Sequence, residues 1–314
     1  MTSENLAYQK LLEEVPCNLC GSSQYTVIHP PRYDLARPDK VSETFRSSGD
    51  EMLLDQLVRC DECGLMYLNP RLKSEVIIEA YSGGQDPAFF SQAQARERTF
   101  DRSLGLIEKH LPHKGRVLDV GTAGGSFLAA AHRRGWEVAG CEPNRWLARE
   151  GGQHYGIDIH AGTIFDMNLE DAGFDLVTLW DVLEHTPDPL AVLAECRRVL
   201  KPGGLLVVNY PDIASLPSRA MGRRWVFLLS VHLYYFTPQT IRAALEKSGF
   251  TALLLQKHWQ TLELGYIMRR MEPYLGAVAR LGGKGVRALG LGKASIPYWM
   301  GQTLVISRRN GPEA

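Results

Sequence analysis

From Arg116 onward the pattern of apolar and polar positions switches regularly between two periods. RVLDVG is a short apolar run ending in glycine, and SFLAAAHRRG behind it repeats apolar residues at helical spacing. WEVAGCE then reads as a strand, RWLAREGGQHYG as a helix, and GIDIHAG as another strand. FDLVTLWDVLEH begins as a strand, PLAVLAECRRVLKPGG is a helix closed by Pro202 and two glycines, and LLVVNYP is a further buried strand. Strands alternating with helices of about 10–15 residues imply right-handed crossovers and an α/β parallel sheet covered on both faces. TPQTIRAALEKSGF predicts a helix capped by Thr237 and stopped at Gly249. TALLLQKHW and QTLVISRR, with no helix of the same kind between them, form a final, partly antiparallel pair.

Upstream of this alternation, cysteine spacing carries the signal. Four of six cysteines form two Cys-x-x-Cys-Gly turns, CNLCG at Cys17 and Cys20 and CDECG at Cys60 and Cys63. Such turns aim two sulfurs at one ion, and two of them supply the four tetrahedral ligands of a structural zinc site with no open position. The 39 residues between Cys20 and Cys60 exceed what a minimal ribbon needs, so residues 25–58 are expected to be an insertion, with HPPRYDLARPDK an extended loop. Cys141 and Cys196 fall in apolar patterns and are expected in the core. The organisation expected is a zinc-binding segment at 1–85, a connecting helical region at 86–112 with a helix across 91–111, and a large domain at 113–314.

Composition narrows the classes. With 314 residues, 45% hydrophobic and 22% charged, the chain reads as an ordinary globular protein of one large or two modest domains. Thirty-five basic and 35 acidic residues give zero net charge, which disfavours a nucleic-acid partner held by phosphate neutralisation. No apolar run reaches the roughly 18 residues of a spanning helix. The longest, at 226–236, is interrupted by Ser230 and His232. MTSENLAYQK has no apolar stretch behind a basic start, so a cytoplasmic protein is expected.

In open α/β sheets, ligands bind beyond the carboxyl ends of the strands. There the first strand leads into Asp119, then Gly121, Thr122, Ala123, Gly124 and Gly125, where small residues permit close approach to a helix N-terminus. Glu142 ends the second strand 21 residues after Gly121, the place for a carboxylate that accepts ribose hydroxyls. The turn lacks the dinucleotide fingerprint, and Asp119 suits a loop organised around a cationic, phosphate-free ligand. VLDVGTAGGSFL, GCEPN, FDLVTLWDVLEHTPDP, VLKPGGLLVVNYP and HLYYFTPQTI with SGF together resemble the class I S-adenosylmethionine-dependent methyltransferases over residues 104–308. The resemblance implies a seven-stranded Rossmann-like sheet with its last strand antiparallel. It places methionine and sulfonium over Gly121 to Gly125, ribose on Glu142, and adenine near Gly162, Thr163, Ile164, Phe165 and Trp180, with Asp166 assisting. Ala123 stands where the family usually carries glycine. CNLCG and RCDECGLMYLNPR look like the zinc-bearing segment of some bacterial methyltransferases acting on sugars or glycans.

Methyl transfer to oxygen or carbon needs alignment and a base. Asp181, Glu184 and His185 follow the fourth strand. His185, supported by Glu184, can be a general base. Alternatively Asp181, Glu184 and His185, with His232 as a fourth, can hold a divalent ion, similar to the E-x-x-E-H arrangement of quinone and small-RNA methyltransferases; Asp181 replaces the first glutamate. The plain alternative is a helix cap. Arg223, His232 and Tyr235 are candidate substrate contacts or lid packing, with only one of Tyr234 and Tyr235 able to face a substrate. Residues 260–297 form an insertion, and from 264 to 314 there are eight basic and two acidic residues. That stretch is expected to cover the substrate side or to meet an anionic membrane or a lipid-linked substrate, and its glycines argue against one rigid helix. The expected activity is transfer of a methyl group to a hydroxyl of a sugar, glycan precursor or related small molecule. A sugar C-methyltransferase, an RNA 2′-O-methyltransferase and a non-catalytic donor-binding module are its rivals.

Overall fold

The computed structural model describes residues 11–32, 52–85, 89–272 and 276–311. Five short strands open the chain: Leu12–Glu13 (β1), Tyr25–His29 (β2), Leu57–Cys60 (β3), Met66–Leu68 (β4) and Arg71–Leu72 (β5). β2, β3 and β4 run antiparallel side by side, and β1 pairs with β5. Gly21 and Gly64 close the two cysteine turns in the left-handed region, at φ 79° and 75°, and their N–H groups donate to the carbonyls of Cys17 and Cys60. A side chain would strain that conformation, which is why each turn ends in glycine. The expected insertion at 25–58 needs correction at its ends: Tyr25 pairs with Cys60 and Val27 with Val58, so both ends are ribbon strands. Residues 33–40 of HPPRYDLARPDK lie outside the described residues.

Two helices, Ser74–Ser82 (α1) and Ala93–Ile107 (α2), connect the ribbon to the main sheet. There follow Arg116–Val120 (β6), Ser126–Arg133 (α3), Glu137–Glu142 (β7), Arg145–Tyr155 (α4), His160–Ala161 (β8), Phe174–Trp180 (β9), Pro189–Val199 (α5) and Leu200–Pro211 (β10). Tyr234–Tyr235 (β11) then leaves this sheet and pairs with β4 of the ribbon. Pro238–Lys247 (α6), capped by Thr237 as its sequence predicts, leads into Phe250–Lys257 (β12). The insertion consists of Gln260–Glu263 (β13), Leu264–Arg270 (α7), Ala277–Ala288 (α8) and Ser295–Tyr298 (β14), and Gln302–Arg309 (β15) ends the main sheet. Its order is β12-β15-β10-β9-β6-β7-β8. β15 alone runs antiparallel, against β10 and β12, while the pairs among β10, β9, β6, β7 and β8 are parallel. GIDIHAG contributes only the two-residue edge strand β8, because pairing stops at Ala161.

Alternate residues of the central strands feed opposite faces, as strand geometry requires. Leu118, Val177, Leu179 and Val208 pack with Leu193 and Cys196 of α5 and Ile241 of α6, and this core is continuous with Cys17, Leu57 and Tyr67 of the ribbon. Val117, Leu176, Leu205 and Val207 pack on the other face with Leu104, Ile107, Phe127 and Leu128. Cys141 and Cys196 are fully buried, as expected. In the insertion α8 runs through Gly282, Gly283 and Gly285. Here close packing overrides propensity: a Cβ at Gly282 would sit 3.3 Å from Met268 Sδ of α7. No helix among the described residues is long and apolar enough to cross a membrane.

Candidate functional site

At the carboxyl ends of β6 and β7 the glycine turn and Glu142 meet. Gly121 and Gly125 take φ 66° and 77°, and Gly125 caps α3. A Cβ on Gly121 would come within 2.7 Å of Val182, and one on Gly124 within 2.8 Å of both Phe89 and Phe90 rings. Such a closely approached turn is a cradle that only small residues leave open. Glu142 is fully buried; its two oxygens accept the N–H groups of Asn144 and Ala123, each at 2.8 Å, and Tyr81 adds a third hydrogen bond. Burial pushes its carboxyl up to about 7. A ribose reaching this carboxylate therefore has to take the place of Tyr81. Asp119 lies beneath the turn, also pushed up to about 7 by burial, and accepts the Thr178 hydroxyl at 2.6 Å, tying β6 to β9. Thr122 is buried beside it, and its N–H donates to Cys141 at 2.9 Å.

Beyond β8, Asp166 Oδ2 accepts the N–H and hydroxyl of Thr163, both at 2.7 Å, closing the turn Ile164–Met167. Those bonds hold its carboxyl below the usual range. Ile164 is buried and Phe165 is 53% exposed. Trp180 sits instead among Phe100, Phe127 and His258, with centroids 5.1–5.4 Å away. β9, which ends in Trp180, and β8, which precedes the turn holding Phe165, are three strand spacings apart, about 14 Å.

Past β9 the chain turns through Asp181, whose φ of 54° is unusual for a residue with a side chain. Asn209 Nδ2 donates to its Oδ1 at 2.6 Å, Gln260 Nε2 lies 3.5 Å from Oδ2, and the Tyr298 hydroxyl donates to Gln260 Oε1 at 2.6 Å. Burial pushes Asp181 up to about 7. Glu184, His185 and His232 converge separately, with one ligand atom of each within 4.8 Å of the others. The set is therefore not the Asp181–Glu184–His185 group the spacing suggests, because the turn at Leu183–His185 swings Glu184 and His185 toward His232. His185 Nδ1 lies 2.9 Å from the Val231 carbonyl and His232 Nδ1 2.8 Å from the Phe227 carbonyl, contacts that assign the proton to Nδ1 and leave each Nε2 as an acceptor. Both oxygens of buried Glu184 lack a hydrogen-bond partner among the described residues.

The loop carrying His232 is built on the ribbon. Leu53 N–H donates to the Leu228 carbonyl, Leu54 N–H to the Ser230 hydroxyl and Leu68 N–H to the Leu233 carbonyl, while Leu233 N–H donates to the backbone carbonyl of Glu184. Asn18, inside the first cysteine turn, bonds Asp188 at 2.9 Å and so grips the segment behind His185. Tyr235 is buried with its hydroxyl committed to the backbone of Leu229, and Tyr234 gives its own to Pro187, so neither faces a substrate. Arg223 is half-buried, and its charge acts on His29 of β2. The four cysteines converge, with Sγ atoms of Cys17 and Cys63, and of Cys20 and Cys60, 3.4 Å apart. Sequence reasoning missed Tyr81, Asn144, Asn209, Gln260 and Tyr298. Of these only Asn144 had a local signal, as an asparagine just before a helix; it caps α4 and also donates to the carbonyls of Tyr81 and Gly84.

Residues 91–255 match the family described as Methyltransferase domain. The chain is 40% identical over 135 residues to a ubiquinone biosynthesis O-methyltransferase of Cereibacter sphaeroides, covering 40% of this chain and about half, 53%, of that relative. It is 30% identical over 207 residues to a sarcosine/dimethylglycine N-methyltransferase of Halorhodospira halochloris, covering 63% of this chain and 72% of that one. An S-adenosylmethionine-dependent methyltransferase from Archaeoglobus fulgidus shares the fold at a TM-score of 0.50 and 18% identity, over 71% of this chain and all of its own. Because the family match covers more than half of the residues and joins the glycine turn to the strand ends beside it, the chain belongs to the methyltransferase domain family.

Proposed function

We propose that the chain methylates a hydroxyl oxygen of a small molecule, with His185 Nε2 as the proton acceptor. The observation that carries this is the convergence of Glu184, His185 and His232 at the strand ends, with one ligand atom of each within 4.8 Å of the others. When bound, S-adenosylmethionine supplies an electrophilic methyl group, and its carbon–sulfur electron pair stays on sulfur. Gly121 to Gly125 and Glu142 hold and orient the donor, aligning it with the acceptor oxygen. His185 takes the hydroxyl proton as the new oxygen–carbon bond forms, and Glu184 and His232 support the resulting charge. An oxygen acceptor agrees with the name of the ubiquinone-pathway relatives, whereas the sarcosine relative names a nitrogen acceptor. A sugar or glycan-precursor hydroxyl rests on the resemblance of the cysteine segment alone.

A second reading has its own observation: the unpartnered Glu184 oxygens beside two acceptor nitrogens suit a divalent cation, which would lower the acceptor's pKa. Cys17, Cys20, Cys60 and Cys63 are proposed to hold structural zinc. Their 3.4 Å contacts approach the sulfur–sulfur separation of about 3.8 Å in a tetrahedral Zn–S₄ site. Free thiols in this pairing suit a reducing cytoplasm. On this reading 1–85 is a zinc-binding segment whose ribbon strands position catalytic groups, 86–112 a connector and 113–314 the transferase.

The test is transfer of labelled methyl to a panel of phenolic, sugar and amine acceptors, with donor affinity measured by calorimetry. His185→Ala is expected to lower transfer to hydroxyls about 10²–10⁴-fold with donor affinity unchanged. Full transfer by His185→Ala, or transfer to amines alone, overturns the reading. Stimulation of metal-stripped wild-type protein by added Mg²⁺, Mn²⁺ or Zn²⁺ would select the cation reading over the free base.

A further inference from the structure

Helix α8 is inside out. The residues it buries are small, Ala279 and Gly283, with Val286 half-buried beside them, while Val278, Leu281 and Leu289 at its end are 70%, 68% and 73% exposed. Globular helices normally turn the large apolar residues inward. At 100° per residue, Val278, Leu281, Gly285 and Leu289 line one outward stripe, and Arg280, Lys284 and Arg287 line the next. The opposite side is settled by contact with α7, since Cβ atoms at Gly282 and Gly283 would touch Met268. Leu291, 45% exposed, and exposed Lys293 continue both characters past the helix end. Arg280 meets Glu272 at 3.5 Å, but Lys284, Arg287 and Lys293 have no acidic partner among the described residues.

An apolar stripe beside unpaired cations distinguishes among occupants. A second copy docking through the same helix would face these cations with like charge. An anionic bilayer offers both a hydrocarbon boundary for the leucines and phosphates for the lysine and arginine heads. The surrounding insertion agrees: residues 264–297 hold six basic residues and one acidic in a protein whose net charge is zero. We infer that α8 is a docking element that lays the enzyme on an anionic membrane surface. The helix belongs to the insertion whose first residue, Gln260, reaches Asp181 and whose last, Tyr298, holds Gln260. Docking therefore acts on an element tied to Asp181 through Gln260. This inference goes beyond the proposed reaction and holds whichever atom is methylated.

Co-sedimentation of the full chain with vesicles of phosphatidylcholine alone, and of phosphatidylcholine with phosphatidylglycerol, tests it. Binding is expected only to the anionic vesicles and is expected to weaken as salt is raised. Lys284→Glu with Arg287→Glu, and separately Leu281→Ser with Leu289→Ser, should each reduce it about tenfold or more. Donor affinity is expected to stay at the wild-type value in both variants, since none of these side chains touches the glycine turn or Glu142. Equal binding to both vesicle types, no binding, or no change in the variants overturns the proposal. So does self-association in solution that Leu281→Ser and Leu289→Ser abolish, which would assign the stripe to a second copy. Methyl transfer is not the readout, so this proposal and the O-methylation reading fail separately.

Discussion

The donor half of the site and its acceptor half are built by different means. The backbone of the donor cradle, from Asp119 through the glycine turn to Glu142, belongs to one strand–turn–helix–strand unit, against which Tyr81, Phe89, Phe90, Thr178 and Val182 pack from outside. The acceptor half has no such unit. His185 comes from the turn after β9, His232 from a loop hung on the ribbon, Asn209 from β10, and Gln260 and Tyr298 from the insertion. A site made this way keeps its donor geometry under changes that dismantle its acceptor geometry. It also makes the ribbon part of the wall behind the proposed acceptor site: β4 pairs with β11 just behind His232, and core packing runs unbroken from Tyr67 to Leu179.

The largest expected effect separates the halves directly. His232→Ala removes one of the two free imidazole nitrogens, and transfer is expected to fall about 100-fold or more with donor affinity within twofold of wild type. Calorimetry beside single-turnover transfer checks it. A parallel loss of donor affinity would merge the two halves and break the comparison.

Next in size is a substitution far from the chemistry. Cys20 is exposed, so Cys20→Ser removes a sulfur from the cysteine cluster without burying a new polar group. Asn18 in the same turn bonds Asp188 and caps the segment after His185, and Lys247 donates to the Leu19 carbonyl at 2.7 Å. Loosening this turn is expected to lower transfer about 10–100-fold, the range seen when supporting shells around a site are removed, and to lower zinc content by elemental analysis. Donor affinity should be spared. Loss of zinc with full transfer would show that the ribbon only stabilises the fold.

What could be read in the sequence follows the same division. The sheet type, the glycine turn, the Thr237 cap and the paired cysteines are local patterns, each set by spacing within a few residues. The convergence of Glu184 and His185 with His232 depends on a ribbon strand more than 110 residues earlier, and no local period encodes it. Tyr81 on Glu142 is hidden for the same reason. α8 was obscured differently: three glycines weaken its helical signal, and only the contact with Met268 shows that two of them, Gly282 and Gly283, are packing positions. GIDIHAG misled in the opposite sense, because an alternating pattern at a sheet edge promises more strand than the partner β7 can pair.

The smallest effect sharpens the donor side. Ala123 occupies φ 50°, and its N–H donates to Glu142 at 2.8 Å, so the backbone must stay in the left-handed region for that bond to form. An alanine there is strained by roughly 1–2 kcal/mol. Glycine relieves this but loses about 0.4–1 kcal/mol through the greater freedom of the unfolded chain. Ala123→Gly is therefore expected to stabilise the protein by about 0.5–1 kcal/mol, seen as a small rise in the denaturation midpoint at unchanged slope. Acceptor KM should not move, because the change is confined to the strand–turn–helix unit. If Ala123→Gly destabilises the protein instead, the methyl group is itself a packing element of the cradle, and the donor half is less self-contained than its contiguity in the chain implies.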